Sequence, residues 1–146
     1  MDIYFDDVEV GYTEQAGPYY LDKQEIIDFA TRYDPERFHT DEAFASASLY
    51  KGLTASSSHL IAIAYALSHR RQNRMSILAP LGMDEMRFPN PARAGDELHY
   101  SMSILEKTES KSKPDRGILR VKIVITNGKG EPVLDYVHTL LVARRR

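Results

Sequence analysis

The chain contains no cysteine. This excludes a disulfide framework, a thiolate nucleophile and any cysteine-ligated metal, and it fits a reducing compartment such as the cytoplasm. It also lacks a dominant charge: 19 Lys and Arg stand against 21 Asp and Glu, for a formal net charge of -2. No global field therefore draws it to nucleic acid or to an acidic membrane surface. The longest apolar stretch, Leu60 to Leu67, is far shorter than the roughly 20 residues of a membrane-spanning helix. Met1 to Phe5 is acidic where a secretory signal is basic. There is no internal repeat, low-complexity linker or composition break, and 146 residues is a common size for one domain. The expectation is one domain over residues 1–146, in the cytoplasm, with Arg144 to Arg146 as a solvated strand end.

What is present changes period halfway along. Tyr12 to Leu21, broken by Gly17-Pro18, reads as a strand with an interruption or at a sheet edge. Asp22 is a natural N-cap with Glu25 in the capping-box position, and Ile26, Ile27, Phe29 and Ala30 give a helix its apolar side through Arg32. Pro35 disfavours helical geometry at Asp34, so the helix should stop there and Asp34 to His39 should form a loop. Thr40 or Asp41 can cap a short helix through Ala47, and Gly52 marks a turn. From Ser56 to Gln72, Leu60, Ile61, Ile63, Ala64 and Leu67 cover more than one face, which predicts a helix surrounded by protein.

In the second half, Leu98, Tyr100, Met102 and Ile104 alternate with polar residues. Leu119, Val121, Ile123 and Ile125 repeat the pattern, as do Leu134, Tyr136, Leu140 and Val142, predicting three long half-buried strands. Asn127-Gly128-Lys129-Gly130 is a hairpin turn and Lys111 to Gly117 a polar connection, so the pairing is antiparallel. Ile77 to Phe88 adds a strand before the Pro89-Asn90-Pro91 break. An apolar helix followed by long antiparallel strands predicts an α+β fold in which a sheet wraps a central helix, the hotdog arrangement.

Asp34-Pro35-Glu36-Arg37-Phe38-His39 sets a carboxylate and an imidazole five residues apart. On a continuous helix that spacing points the two groups apart, whereas a proline-broken loop can aim both at one small volume with a water between them. Adding water to an activated double bond needs a base for the water proton and a donor for the adjacent carbon, work an Asp and a His can share. The spacing alone better suits Asp34 as a cap or turn residue and His39 as a satisfied structural histidine before a helix. Ser56-Ser57-Ser58-His59 invites a serine-hydrolase reading, but no G-x-S-x-G elbow accompanies it and sequence neighbours need not be hydrogen-bonded partners. His69, His99 and His138 lack zinc-like spacing, and there is neither H-E-x-x-H nor a glycine-rich phosphate loop, so no metal is expected.

Phe29 to Ala45 resembles the hydratase motif of the MaoC-like dehydratases, the family of (R)-specific enoyl-coenzyme A hydratases, with Asp34 and His39 on its catalytic pair. Tyr50 to Ser57 resembles the family's approach to the central helix. Arg87-Phe88, Pro91, Gly95-Asp96 and the last two strands also fit, so the likeness covers nearly the whole chain. It implies a hotdog homodimer that binds acyl-coenzyme A thioesters in a tunnel near the dimer interface, with no cofactor beyond the substrate's own coenzyme A. The implied reaction is hydration of a trans-2-enoyl-coenzyme A to the (R)-3-hydroxyacyl product, or the reverse. Asp34 and His39 would be acid and base, and the backbone N–H of Ser57 would face the thioester oxygen. At a helix start that amide is unpaired and feels the positive end of the dipole, although Ser56 to Ser58 also simply suit a helix cap. Ser56, Arg87 and Phe88 are expected at the substrate, with Arg87 and Arg93 toward coenzyme A phosphates. Two departures stand out: Glu36-Arg37 where the hydratases usually carry Asn-Pro, and Ser56-Ser57 where many carry His-Gly. A hotdog thioesterase and a non-catalytic acyl-thioester binder are the competing readings.

Overall fold

The computed structural model describes residues 1–145. Its main sheet is antiparallel, in the order β2-β5-β6-β7-β4, built from β2 (Thr13–Tyr20), β4 (Ile77–Arg87), β5 (Glu97–Glu109), β6 (Arg116–Thr126) and β7 (Pro132–Ala143). Alternation along the strands brings the inward residues into register. Tyr100 faces Ile125, Met102 faces Ile123 and Ile104 faces Val121 across β5 and β6. Val121 in turn faces His138, and Ile123 faces Tyr136, across β6 and β7. A short parallel pair, β1 (Asp2–Ile3) with β3 (Arg74–Met75), ties down the amino terminus.

The expected interruption in β2 and its edge position both occur: the register shifts between Ala16 and Tyr19, and β2 pairs only with β5. Proline donates no backbone hydrogen bond, so Pro18 belongs at such an edge. Gly17, at φ 128°, lies so near β5 that a Cβ would stand 3.0 Å from the Leu98 carbonyl oxygen.

Helix α1 (Lys23–Tyr33) starts at Asp22, whose carboxylate accepts from the Glu25 N–H at 3.2 Å, and it stops before Pro35. The next segment is not the plain loop expected. After an extended Glu36 (φ −65°, ψ 139°) the chain coils again as α2 (Arg37–Thr40), with His39 N–H donating to Glu36 O at 2.9 Å. Proline bars helical geometry only at the residue before it, and nothing bars a new turn two residues later. Asp41 caps α3 (Glu42–Ser46), and Ser56 caps α4 (Ser57–Ser68) by accepting from the His59 N–H at 3.2 Å.

Helix α4 lies against the inner face of the sheet with Leu60, Ile63, Ala64 and Leu67 buried in the common core. This is the hotdog arrangement. The helix is not enclosed on all sides within one chain, since Ser58, Ala62, Tyr65 and Ala66 are exposed. It reads as apolar all round because two of these are alanines, which count as apolar while presenting little side chain to bury. The carboxyl-terminal arginines differ from expectation too. Arg144 pairs with Asp6 at 2.6 Å and Glu109 at 3.1 Å, and Arg145 with Asp7 at 2.6 Å, while Arg146 lies outside the described residues. Among the described residues no helix is long and apolar enough to cross a membrane.

Candidate active site

The first turns of α4 pack against the amino-terminal half and middle of α1, and a polar clamp holds the crossing. The His59 ring stacks on Phe29, centroids 4.4 Å apart and planes 9° apart, and its Nε2 lies 2.7 Å from Glu25 Oε2. The Tyr19 hydroxyl donates to the same oxygen at 2.7 Å. The expected capping box is therefore absent at Glu25: its carboxylate turns inward, because a buried imidazole N–H is costly without an acceptor. Burial pushes the His59 pKa below its usual value, against the opposing charge of Glu25. The neutral ring then donates from Nε2 and leaves Nδ1, which is sealed and unpaired, as a bare lone pair.

The clamp fixes two polypeptide ends around a cavity of about 440 Å³ whose wall includes Asp34, His39, Tyr50, Ser57, Leu60 and Phe88. Asp34 reaches it from the last turn of α1, where its N–H is anchored to Ala30 O at 2.8 Å. His39 reaches it from α2. Asp34 Oδ2 and His39 Nε2 are 3.6 Å apart, too far for a direct hydrogen bond, while a water at about 2.8 Å from each fits between them. His39 Nδ1 lies 2.5 Å from the Thr54 carbonyl oxygen, which can only accept. That bond fixes the tautomer: the neutral ring carries its proton on Nδ1 and turns the Nε2 lone pair toward Asp34. Ser57 is the first residue of α4, and no hydrogen bond within the described residues engages its backbone N–H. The amide therefore adds to the positive end of the helix dipole at the cavity wall.

The structure thus gathers Asp34, His39, Ser57 and Phe88 around one space. Ser56 is elsewhere: it is buried, with its hydroxyl committed to capping α4. Arg87, next to Phe88, is exposed at the end of β4 and outside the cavity wall, with no ion-pair partner among the described residues. Both departures at positions 36 and 37 also point away. Arg37 lies over the Phe44 ring at 4.2 Å and 3.7 Å from Asp41, and neither it nor Glu36 lines the cavity. Sequence reasoning missed Phe38, Tyr50 and Thr54. Phe38 packs on Tyr50 at 5.1 Å between centroids. Thr54 acts through its carbonyl, for which its side chain carries no signal. Among the described residues no three His, Asp or Glu side chains are grouped as metal ligands would be.

The fold finds its counterpart among known proteins. The model of the MaoC-like domain family matches residues 9–125, and the chain belongs to that family. It is similar to the solved MaoC-like dehydratase from Rhodospirillum rubrum, at 34% identity over 99% of each chain with a TM-score of 0.91. It also shares its fold with the (R)-hydratase PhaJ1 from Pseudomonas aeruginosa, at 24% identity over 98% of this chain and 87% of that one, with a TM-score of 0.74. It is 28% identical over 140 residues to the uncharacterised YdeM of Bacillus subtilis, covering 95% of this chain and 98% of that protein.

Proposed function

We propose that the protein hydrates trans-2-enoyl-coenzyme A thioesters to (R)-3-hydroxyacyl products, or runs the reverse dehydration. One observation carries the reading: Asp34 Oδ2 and His39 Nε2 stand 3.6 Å apart over the cavity that the amino end of α4 enters. Together they hold a water by its two protons and aim its lone pair at C3 of the enoyl group. As the C–O bond forms, one of the pair takes a water proton, and the electron pair of the double bond moves toward the thioester oxygen. The Ser57 N–H stabilises the enolate there, and the acquired proton is delivered to C2. The sum is addition of one water. In this reading Arg87, exposed beside Phe88 and without an ion-pair partner among the described residues, would meet a coenzyme A phosphate.

The working unit in this reading is a homodimer. Strand β4 is an open edge bearing exposed Ile77, Leu78 and Leu81, and the uncovered side of α4 presents small residues. Natural sheets rarely leave such an edge bare. Light scattering at micromolar concentration should return twice the chain mass, and a monomer would contradict the dimer.

Activity is tested by loss of the enoyl absorbance on adding enzyme, followed by chiral analysis of the product. Release of free coenzyme A thiol would mark a thioesterase instead. Binding without turnover at any chain length would leave the acyl-thioester-binding reading.

A further inference from the structure

A second cavity, of about 460 Å³, lies between the later turns of α4 and the inner faces of β5, β6 and β7. Met102, Val121 and Ile123 give it apolar wall, but Tyr65, Tyr100, Tyr136 and His138 line it as well. Tyr100, Tyr136 and His138 are 4%, 2% and 7% exposed, so they are core residues by position. The His138 ring stands edge-on between Tyr65 and Tyr136, with centroids 6.0 and 5.8 Å away. None of these hydroxyls or ring nitrogens has a hydrogen-bond partner among the described residues. Yet among the described residues the one buried side-chain polar atom that is both sealed and unpaired is His59 Nδ1, at the crossing of α1 and α4 and outside this cavity. The tyrosine hydroxyls and the His138 nitrogens therefore keep accessible surface, and the cavity they line is where it opens.

Buried polar groups are ordinarily paired, and an unpaired set converging on one space is a recognition site short of its ligand. The set is neutral: burial raises the Tyr100 hydroxyl to about 12 and the Tyr136 hydroxyl higher, and it lowers His138. The nearby Arg71 is held by Glu14 at 3.0 Å. Arg74 also lines the cavity and is exposed, so the uncharged groups are the buried ones, Tyr100, Tyr136 and His138, and there a neutral oxygen would find donors and an acceptor.

Leu60 and Ala64, one turn apart on the same face of α4, lie on the walls of the first and second cavities respectively. The rise of a helix puts Ala64 about 10 Å beyond Ser57. We propose that the second cavity is the tail subsite for the acyl chain, and that it selects chains bearing a neutral oxygen function, a hydroxyl or a keto group, at the far end. The subsite rests on the hydratase reading for its orientation: the thioester oxygen meets Ser57, and the chain follows α4 past Leu60 and Ala64 to the tyrosines.

The test is a chain-length series of paired trans-2-enoyl-coenzyme A thioesters ending in a methyl or in a hydroxyl group. At the best length the hydroxyl-ended substrate should have the higher kcat/KM by at least about tenfold, because the plain chain leaves buried hydroxyls unpaired. The Tyr100→Phe/Tyr136→Phe double variant keeps both rings and should bring that ratio to within about threefold. A wild-type ratio at or below one overturns the subsite, as does a folded double variant that keeps the full preference. Calorimetric binding of the matching saturated thioesters to wild-type protein separates the two readings. Preference in binding without turnover upholds the subsite and sinks the hydratase, equal binding sinks the subsite alone, and no binding sinks both.

Discussion

The two cavities that share one face of α4 are furnished in opposite ways. The first has a carboxylate, a tautomer-fixed imidazole and an unpaired amide at the positive end of a helix, all suited to moving protons and meeting developing charge. The second, at the other end of the same helix, has tyrosine hydroxyls and a histidine kept neutral by burial. On the proposed readings of the two cavities, the contrast means that one hotdog core keeps reaction and selection apart along a single helix. A carboxylate sits where a bond is proposed to be made, and buried neutral hydrogen-bonding groups, with Arg74 at the exposed part of the wall, where a tail is proposed to be read.

The largest expected effect lies in the first cavity. Asp34→Asn and His39→Gln should each lower kcat by about 10²–10⁴-fold on every substrate, whatever its tail, with melting temperature unchanged. Loss confined to hydroxyl-ended substrates would erase the division. Ser57 offers a sharper version of the same question. Ser57→Ala keeps the backbone N–H and should stay within about threefold of wild type, while Ser57→Pro deletes the donor and should cost about 10²–10³-fold. Proline is well suited to a first helical position, and Ser56 before it is already extended at φ −68° and ψ 157°. Equal rates for the two variants would remove the amide from the mechanism.

A third comparison concerns the crossing that positions the first cavity, where the expected effect is on stability. Glu25→Leu removes the acceptor of a His59 N–H that is almost fully buried and of the Tyr19 hydroxyl. It should destabilise the fold by about 1–3 kcal/mol in denaturant unfolding. A neutral outcome would mean that the clamp is incidental.

How much of this could be read from the chain differs between the two cavities for a physical reason. The Asp34-to-His39 spacing around Pro35 is local, so the first cavity was legible in outline, and strand alternation gave the sheet and its inward faces. What escaped depends on contacts distant in sequence. Glu25 looked like a capping-box residue because its real partners, Tyr19 and His59, lie on β2 and α4. Thr54 contributes a backbone carbonyl. Tyr100 and Tyr136 fell into the alternating pattern as ordinary core positions. Period two says that a side chain points inward, but not that its hydroxyl meets a cavity rather than a partner.

The smallest expected effect compares the two buried histidines through pH. Burial lowers the pKa of both His59 and His138 from 6.5; Glu25 opposes the shift at His59, whereas at His138 burial acts unopposed. Well above 6.5 neither ring carries the second, charging proton in the folded or the unfolded chain, and their contribution to stability is fully present. As pH falls below 6.5 the unfolded chain takes up protons that the fold refuses, so stability drops until the folded pKa is reached. Each group then contributes at most about 1.4 kcal/mol per pH unit. Asp6, Asp7 and Asp41 are held below 3.8, by Arg144, by Arg145 and by the Phe44 N–H respectively, so their stabilisation is lost only at more acidic pH. Urea unfolding followed from neutrality down to about pH 5 therefore isolates the histidines. Stability should fall along that series, and His138→Gln, which cannot titrate, should flatten the fall. A wild-type protein equally stable across the range would show that neither ring is kept neutral by the fold, and it would remove the uncharged character on which the contrast between the two cavities depends.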